Sequence, residues 1–236
     1  MRRDVDGDPQ EERFRGSDGK ATGRRKSFDL KEACVQAARD VIAEHGIEAL
    51  SMRDVARKLG ISHQAPYRHF ESRDHLLAEI MRRCFADFAE HLDRRESPDG
   101  NGDHEDMGSA YLAYAAQKPL EYRLMFGTPW PEPAQHPELV KHAVHAFDIL
   151  RNSQRARYGD GPAHYAKADL DALFIWSTLH GMASIMQANV MQHLVLAPEV
   201  VPRLKADLMG KIDAALEASS RRAPRTAKAR RKPAKQ

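Results

Sequence analysis

Residues 51–70, SMRDVARKLGISHQAPYRHF, constrain the fold more than any other stretch of the chain. Ser51 followed three residues later by Asp54 makes a capping pattern at the start of a short helix. Val55, Ala56 and Leu59 supply its buried side, and Arg53, Arg57 and Lys58 stay outward. Gly60 then provides a turn of the kind that needs positive φ. Ser62 is placed to cap a second short helix over 62–70, with Pro66 close enough to its start to cost little of the ladder. Apart from Ala65 and Phe70, that segment has no apolar stripe. It offers His63, Gln64, Tyr67, Arg68 and His69, groups that suit phosphates and base edges. A polar helix held at an angle by a glycine turn is the geometry of a helix-turn-helix DNA reader. The candidate DNA contacts are Arg24, Arg25, Ser51, Met52, Arg53, Ser62, His63, Gln64, Ala65, Tyr67, Arg68, His69 and Arg73. Gln64 and His63 are the expected base readers, while Ser51, Tyr67, His69 and Arg73 are expected on phosphates.

The remaining periodicity is helical. Leu30, Ala33, Cys34, Ala37, Ala38, Val41 and Ile42 recur at three- and four-residue steps, with Asp29 and Glu32 at the start and Gly46 at the end. Lys31 and Arg39 on its outer side, and the Arg24-Arg25-Lys26 cluster before it, can approach phosphates. A long helix over 72–95 buries Leu76, Leu77, Ile80, Cys84 and Phe88, and it is long enough to link two domains. A loop over 97–105 follows, then helices at roughly 106–117, 119–126, 136–157, 168–193 and 199–217. No period-two alternation occurs. The expected fold is all-α, with about nine helices. An N-terminal three-helix helix-turn-helix domain (28–75) is joined by the long helix to a C-terminal helical bundle (76–217) for ligand sensing and dimerisation. Residues 1–27 read as a disordered arm and 218–236 as a disordered basic tail.

Charge separates the tail from the body. Residues 219–236 hold eight Lys or Arg and no acid, so without them the formal net charge of +3 becomes −5. The tail is either a polycation adding sequence-independent phosphate contacts or a solvated terminus. No apolar run opens the chain, and the most apolar stretch, 170–196, is interrupted by Ser177, His180, Gly181 and Gln187. That stretch reads as a buried helix, and a cytoplasmic protein without membrane contact is expected. Cys34 and Cys84 fall on apolar sides and read as core thiols. Glu138, His142 and His145 could face a metal together, although exposed helix histidines are common and no further ligand stands nearby. Catalytic glycine loops, nucleophile elbows and His-Glu-x-x-His motifs are absent, so neither an enzyme nor a cofactor is expected.

The run GISHQAPYRHFESRDHLLAEI, preceded by EHGIEALSMRDVARKL, resembles the N-terminal domain of the tetracycline-repressor (TetR-like) family over residues 28–80. His63-Gln64 departs from the residues usual in that family, a difference expected to alter which operator is read. KPLEYRLMFG (118–127) and Trp176-x-x-x-His180-Gly181 resemble a C-terminal subtype named for its Trp–His–Gly signature. The resemblance implies a repressor that binds a palindromic double-stranded DNA operator as a homodimer and is released by a small apolar effector. It also implies that the last two helices pair across the dimer. Ser177, Gly181, Ser184 and Ala188 form a small-residue strip suited to close packing, and Val201, Leu204, Leu208, Ile212 and Ala215 an apolar stripe. Phe126, Phe147, Trp176, His180 and Met186 are the candidate effector contacts, with Trp130, Tyr165 and Phe174 as further wall residues. Residue by residue, these could equally fill a bundle core. An architectural DNA protein relying on the basic tail is the alternative to a specific regulator.

Overall fold

The computed structural model describes residues 29–94 and 104–221. Arg24, Arg25, the N-terminal arm, most of the 97–105 loop and all but the start of the tail lie outside the described residues. Among the described residues, every regular element is helical.

Helix α1 (Leu30–His45) starts where the Asp29 carboxylate accepts the Lys31 and Glu32 N–H groups at 3.0 and 3.3 Å. Those are donors that the first turn would otherwise leave unpaired. It ends at Gly46, as its pattern predicts. Helix α2 (Met52–Leu59) follows a short 3-10 turn at Ile47–Ala49. The long helix α3 (Arg73–Asp93) is capped by Ser72, whose hydroxyl accepts the His75 N–H at 3.2 Å. Helices α4 (His104–Gln117), α5 (Pro119–Phe126), α6 (Pro137–Tyr158), α7 (Pro162–Gln187) and α8 (Val200–Arg221) complete the bundle. Proline opens α5, α6 and α7, the position where its missing N–H costs nothing. This is why α7 begins earlier than the expected residue 168. It also stops earlier, giving way to a 3-10 segment at Asn189–His193. Eight α-helices are therefore present among the described residues, one fewer than the sequence suggests, because the segment 62–70 does not form an α-helix.

Helix α3 is the spine. Leu76, Ile80, Met81, Cys84, Phe85, Phe88 and Leu92 along it are all buried. They belong to one continuous apolar core that runs from Cys34 in α1 to Leu216 in α8. Each large side chain so buried contributes on the order of 1.5–3 kcal/mol. The most extensive packing is of α3 on α6 and of α6 on α7, with α4 and α5 covering the rest of α3. Gly108 lets α8 approach α4: a Cβ there would run into the Met209 side chain. Cys34 and Cys84 are core thiols, and burial pushes Cys84 up to about 12, which leaves it protonated and inert.

One carboxylate ties three helices together. Glu79 on α3 accepts from Arg82 at 2.7 Å and from Arg83 at 2.8 Å. Arg83 reaches on to Glu32 of α1 at 2.6 Å, and Arg82 lies 3.3 Å from His142 of α6. Burial works against the Glu79 carboxylate, yet the two guanidinium groups outweigh it and hold the group at about 2, below its ordinary 4.5. A carboxyl depressed in the folded state stabilises the fold above its unfolded value. That contribution should be complete above pH 4.5 and disappear as the pH falls toward 2. Melting temperatures recorded across this window should fall less steeply for Glu79→Gln than for the parent chain.

Candidate nucleic-acid interface and ligand cavity

The turn between α2 and the reading segment is built as its residue types dictate. The Ser51 hydroxyl accepts the Asp54 N–H at 3.1 Å and donates to the Asp54 carboxylate. Gly60 takes φ 65° and ψ 31°, its N–H bonding to the Arg57 carbonyl and that of Ile61 to the Ala56 carbonyl, both at 3.1 Å. This paired closure satisfies two carbonyls at the helix end and needs a left-handed residue at Gly60. Beyond it, the expected α-helix over 62–70 is replaced by a tighter run. The Ala65 N–H bonds to the Ser62 carbonyl at 3.0 Å, and a single 3-10 turn covers Pro66–Arg68. Pro66 has no N–H with which to reach the Ser62 carbonyl, so the α-helical ladder cannot form there.

Pro66 and Phe70 are buried and anchor the segment, leaving Ser62, His63, Gln64, Tyr67, Arg68 and His69 exposed and Ala65 half-buried. Residues 60–70 contain no Asp or Glu, so nothing in the segment repels a polyanion. Arg53 is also exposed, and Ser51 is half-buried. Two expected contacts are placed otherwise. Met52 is only 4% exposed, because the first residue of α2 closes the head's core. Arg73 donates from Nε to the Leu50 carbonyl at 2.9 Å and from Nη2 to the Ile47 carbonyl at 3.0 Å. It is a positioning residue that fastens the 47–50 turn to the start of α3, and nothing in the sequence signals it. Arg39 likewise does not point free: it pairs with Glu121 of α5.

The bundle forms a partly open cavity of about 360 Å³ between α3, α4, α5, α6 and α7. Phe126, Phe147, Trp176 and His180 line it as expected, and so does Trp130. Met186 does not. It is 53% exposed, and Tyr165 and Phe174 are exposed too. Helix α7 is apolar on more than one side, so periodicity could not separate its cavity side from its outer side. Sequence reasoning missed Phe85 and Tyr111 and counted Phe88 only as a buried residue of the long helix. Phe85 sets its ring 5.7 Å from Phe126 and 5.4 Å from Trp130, both edge-on, and Phe147 lies 5.7 Å from Trp176.

The wall has one polar corner. The Tyr111 and Tyr122 hydroxyls share a hydrogen bond of 2.9 Å, and Tyr122 shares another of 2.7 Å with His180 Nδ1. Burial pushes both phenols up, Tyr122 to about 12, and pushes His180 down, so the chain is uncharged at neutral pH. The metal alternative loses its geometry. His142 Nδ1 lies 2.7 Å from the Glu138 carbonyl and Nε2 lies beside Arg82. Among the described residues, no group of three His, Cys, Asp or Glu could hold an ion. None of the described helices is long and apolar enough to cross a membrane.

Comparison with known proteins agrees with this geometry. Residues 35–80 match the family described as bacterial regulatory proteins, tetR family, and residues 105–208 match the tetracyclin repressor-like C-terminal domain. The chain thus carries a TetR-family N-terminal helix-turn-helix domain and a TetR-like C-terminal domain. It is 31% identical over 117 residues to the HTH-type transcriptional regulator Rv1816 of Mycobacterium tuberculosis, a match covering 48% of this chain and 49% of that protein. It is 38% identical over 65 residues to the HTH-type transcriptional repressor Rv3405c of the same organism, covering 26% of this chain and 35% of that one. The chain spans at most about half the length of these curated relatives. Among solved structures, the regulatory protein SCO4313 superimposes with a TM-score of 0.64 at 26% identity, covering 80% of this chain and 95% of that one. A protein of unknown function from Rhodococcus sp. RHA1 has the same fold, with a TM-score of 0.61 at 23% identity over 84% of this chain and 97% of its own.

Replacing Arg73 by Met should strand the Leu50 carbonyl, leave the Ile47 carbonyl with the Leu50 N–H alone, and destabilise the fold by about 1–3 kcal/mol. Arg73→Lys, which lacks the planar fork, should recover only part of that loss. Thermal or denaturant unfolding of the two variants measures both effects.

Proposed function

We propose that the chain is a cytoplasmic, homodimeric, sequence-specific DNA-binding transcriptional regulator of the TetR type, a repressor released from its operator by a small, largely apolar effector. The observation that carries this reading is the exposed, acid-free edge from His63 to His69, held between a left-handed glycine turn and two buried anchors. Residues 28–75 form the DNA-binding head and 76–217 the sensing and dimerisation domain, with a C-terminal domain of the Trp–His–Gly kind. In its support, Trp176 and His180 both face the cavity. The name of Rv3405c as a repressor favours repression over activation.

Gln64 and His63 read bases, and Ser51, Arg53, Ser62, Tyr67, Arg68 and His69 hold the backbone with Ala65 in contact. Arg24 and Arg25 add phosphate contacts from the arm. Two heads entering successive major grooves, roughly 34–36 Å apart, require a palindromic site and a two-fold partner. The partner's seat is the outer side of α7. Leu170, Leu173, Phe174, Ile185 and Met186 are exposed there, interspersed with Ser177, Gly181 and Ser184. A run of apolar side chains of that length on a soluble helix marks an interface. Effector control runs through two elements that touch both ends: α3, with Arg73 in the head and Phe85 and Phe88 at the cavity, and α5, with Glu121 on Arg39 and Phe126 at the cavity. An effector acts only through unequal affinity for the two states, typically by about 1–3 kcal/mol.

Selection of bound fragments from random DNA, followed by footprinting, should return a palindrome. Gln64→Ala should relax base preference at one position per half-site by about 1–3 kcal/mol. An unchanged ranking of sequence variants would reject Gln64 as the reader. Ile185→Arg should convert the dimer to monomer in sedimentation and abolish operator binding while leaving the helical content intact.

A further inference from the structure

Among the described residues, the cavity wall carries no Lys, Arg, Asp or Glu. An ionised ligand group buried there would meet no counter-charge and would lose its hydration without compensation. The Trp130 N–H is already donated to the Met125 carbonyl at 3.0 Å. What polar character the wall has therefore comes from the Tyr111 hydroxyl, which the Trp176 N–H also engages, and from the His180 ring, the two joined behind the wall by the Tyr122 hydroxyl.

This three-member chain has two neutral proton arrangements. In one, His180 is protonated on Nε2; Nδ1 accepts from Tyr122, Tyr122 accepts from Tyr111, and the Tyr111 oxygen keeps a lone pair for a donor in the cavity. In the other, Nδ1–H donates to the Tyr122 oxygen, Tyr122 donates to the Tyr111 oxygen, and the Tyr111 O–H is free to donate into the cavity. Turning the two hydroxyls about their C–O bonds while the imidazole proton moves from Nε2 to Nδ1 by exchange with solvent converts one arrangement into the other, and every member stays neutral. The Ser184 hydroxyl, 3.5 Å from Nε2, can follow either tautomer. The Tyr111 end can thus present an acceptor or a donor, whereas it has no way to present a positive charge.

We infer that the cavity takes an uncharged, mostly hydrocarbon or aromatic ligand bearing one hydrogen-bonding group, an alcohol or a ketone alike, and discriminates against carboxylates of the same shape. The inference rests on the effector reading above and narrows it.

Trp130 and Trp176 are the only tryptophans in the chain, and both line the cavity, so intrinsic fluorescence reports ligand entry there without DNA. Four probes of one shape separate the possibilities: phenylcyclohexane, 4-phenylcyclohexanol, 4-phenylcyclohexanone and 4-phenylcyclohexanecarboxylate. At neutral pH the alcohol and the ketone should each bind about five- to tenfold tighter than the hydrocarbon, and the carboxylate weaker than all three. Tyr111→Phe should erase the advantage of both polar probes and leave phenylcyclohexane unchanged, which also certifies that the cavity is intact. A carboxylate that binds as tightly as the alcohol would overturn the inference. So would a ranking unmoved by Tyr111→Phe, or no fluorescence change with any probe. If the ranking holds but no probe displaces operator DNA, the ligand class stands and the release mechanism fails. If the carboxylate binds best and displaces DNA, the release mechanism stands and the ligand class fails.

Discussion

A helix that must be buried on two sides cannot choose its neighbours independently. Helix α3 is in that position: its first turns pack against α1 in the head, while Phe85, Phe88 and Leu92 close a cavity among α4, α5, α6 and α7. Polar relief along it comes from Glu79, Arg82 and Arg83, which pair with one another and with Glu32, and further on from Asp87, which accepts from Tyr114 and Lys118. Because the same rod runs through one core from α1 to the bundle, moving the bundle against it also moves the N-terminal helices. The interior tolerates such shifts only as discrete repacking, since close-packed side chains do not deform gradually.

Helix α5 adds a second link of a different kind. Its neighbouring residues Glu121 and Tyr122 face opposite duties. Glu121 pairs with Arg39 of α1, and Tyr122 sits between Tyr111 and His180 behind the cavity wall. A short helix of eight residues has little internal freedom, so a change on one side is carried to the other. The ion pair is part-buried, its two side chains 30% and 16% exposed. Its role is orientation.

Much of this was legible from residue chemistry. The caps at Asp29, Ser51 and Ser72 and the left-handed turn at Gly60 depend on local hydrogen-bonding rules, and they stand where those rules put them. The aromatic wall from α5, α6 and α7 was also named from sequence. The failures were tertiary. Arg73 looked like a phosphate ligand because its partners, two backbone carbonyls more than twenty residues earlier, carry no signature in sequence. Phe88 matched the helical core period, Phe85 beside it was not named at all, and neither gave a sign that they border a cavity. Met186 failed because an exposed side and a cavity side of one helix share the same apolar composition. The segment after Gly60 failed for a local reason that was underweighted, the missing N–H of Pro66.

That proline has a further effect. With 3-10 closures and a single α-type one, from the Phe70 N–H to the Pro66 carbonyl, the segment has little ladder of its own; the buried Pro66 and Phe70 impose its shape from below. Residues that carry the shape and residues that meet the outside are therefore different residues. His63, Gln64 and His69 add almost nothing to folding, so replacing them leaves the backbone path intact. Recognition and stability are separable in such a segment, and a lineage of these chains could drift from one DNA sequence to another without passing through an unfolded ancestor.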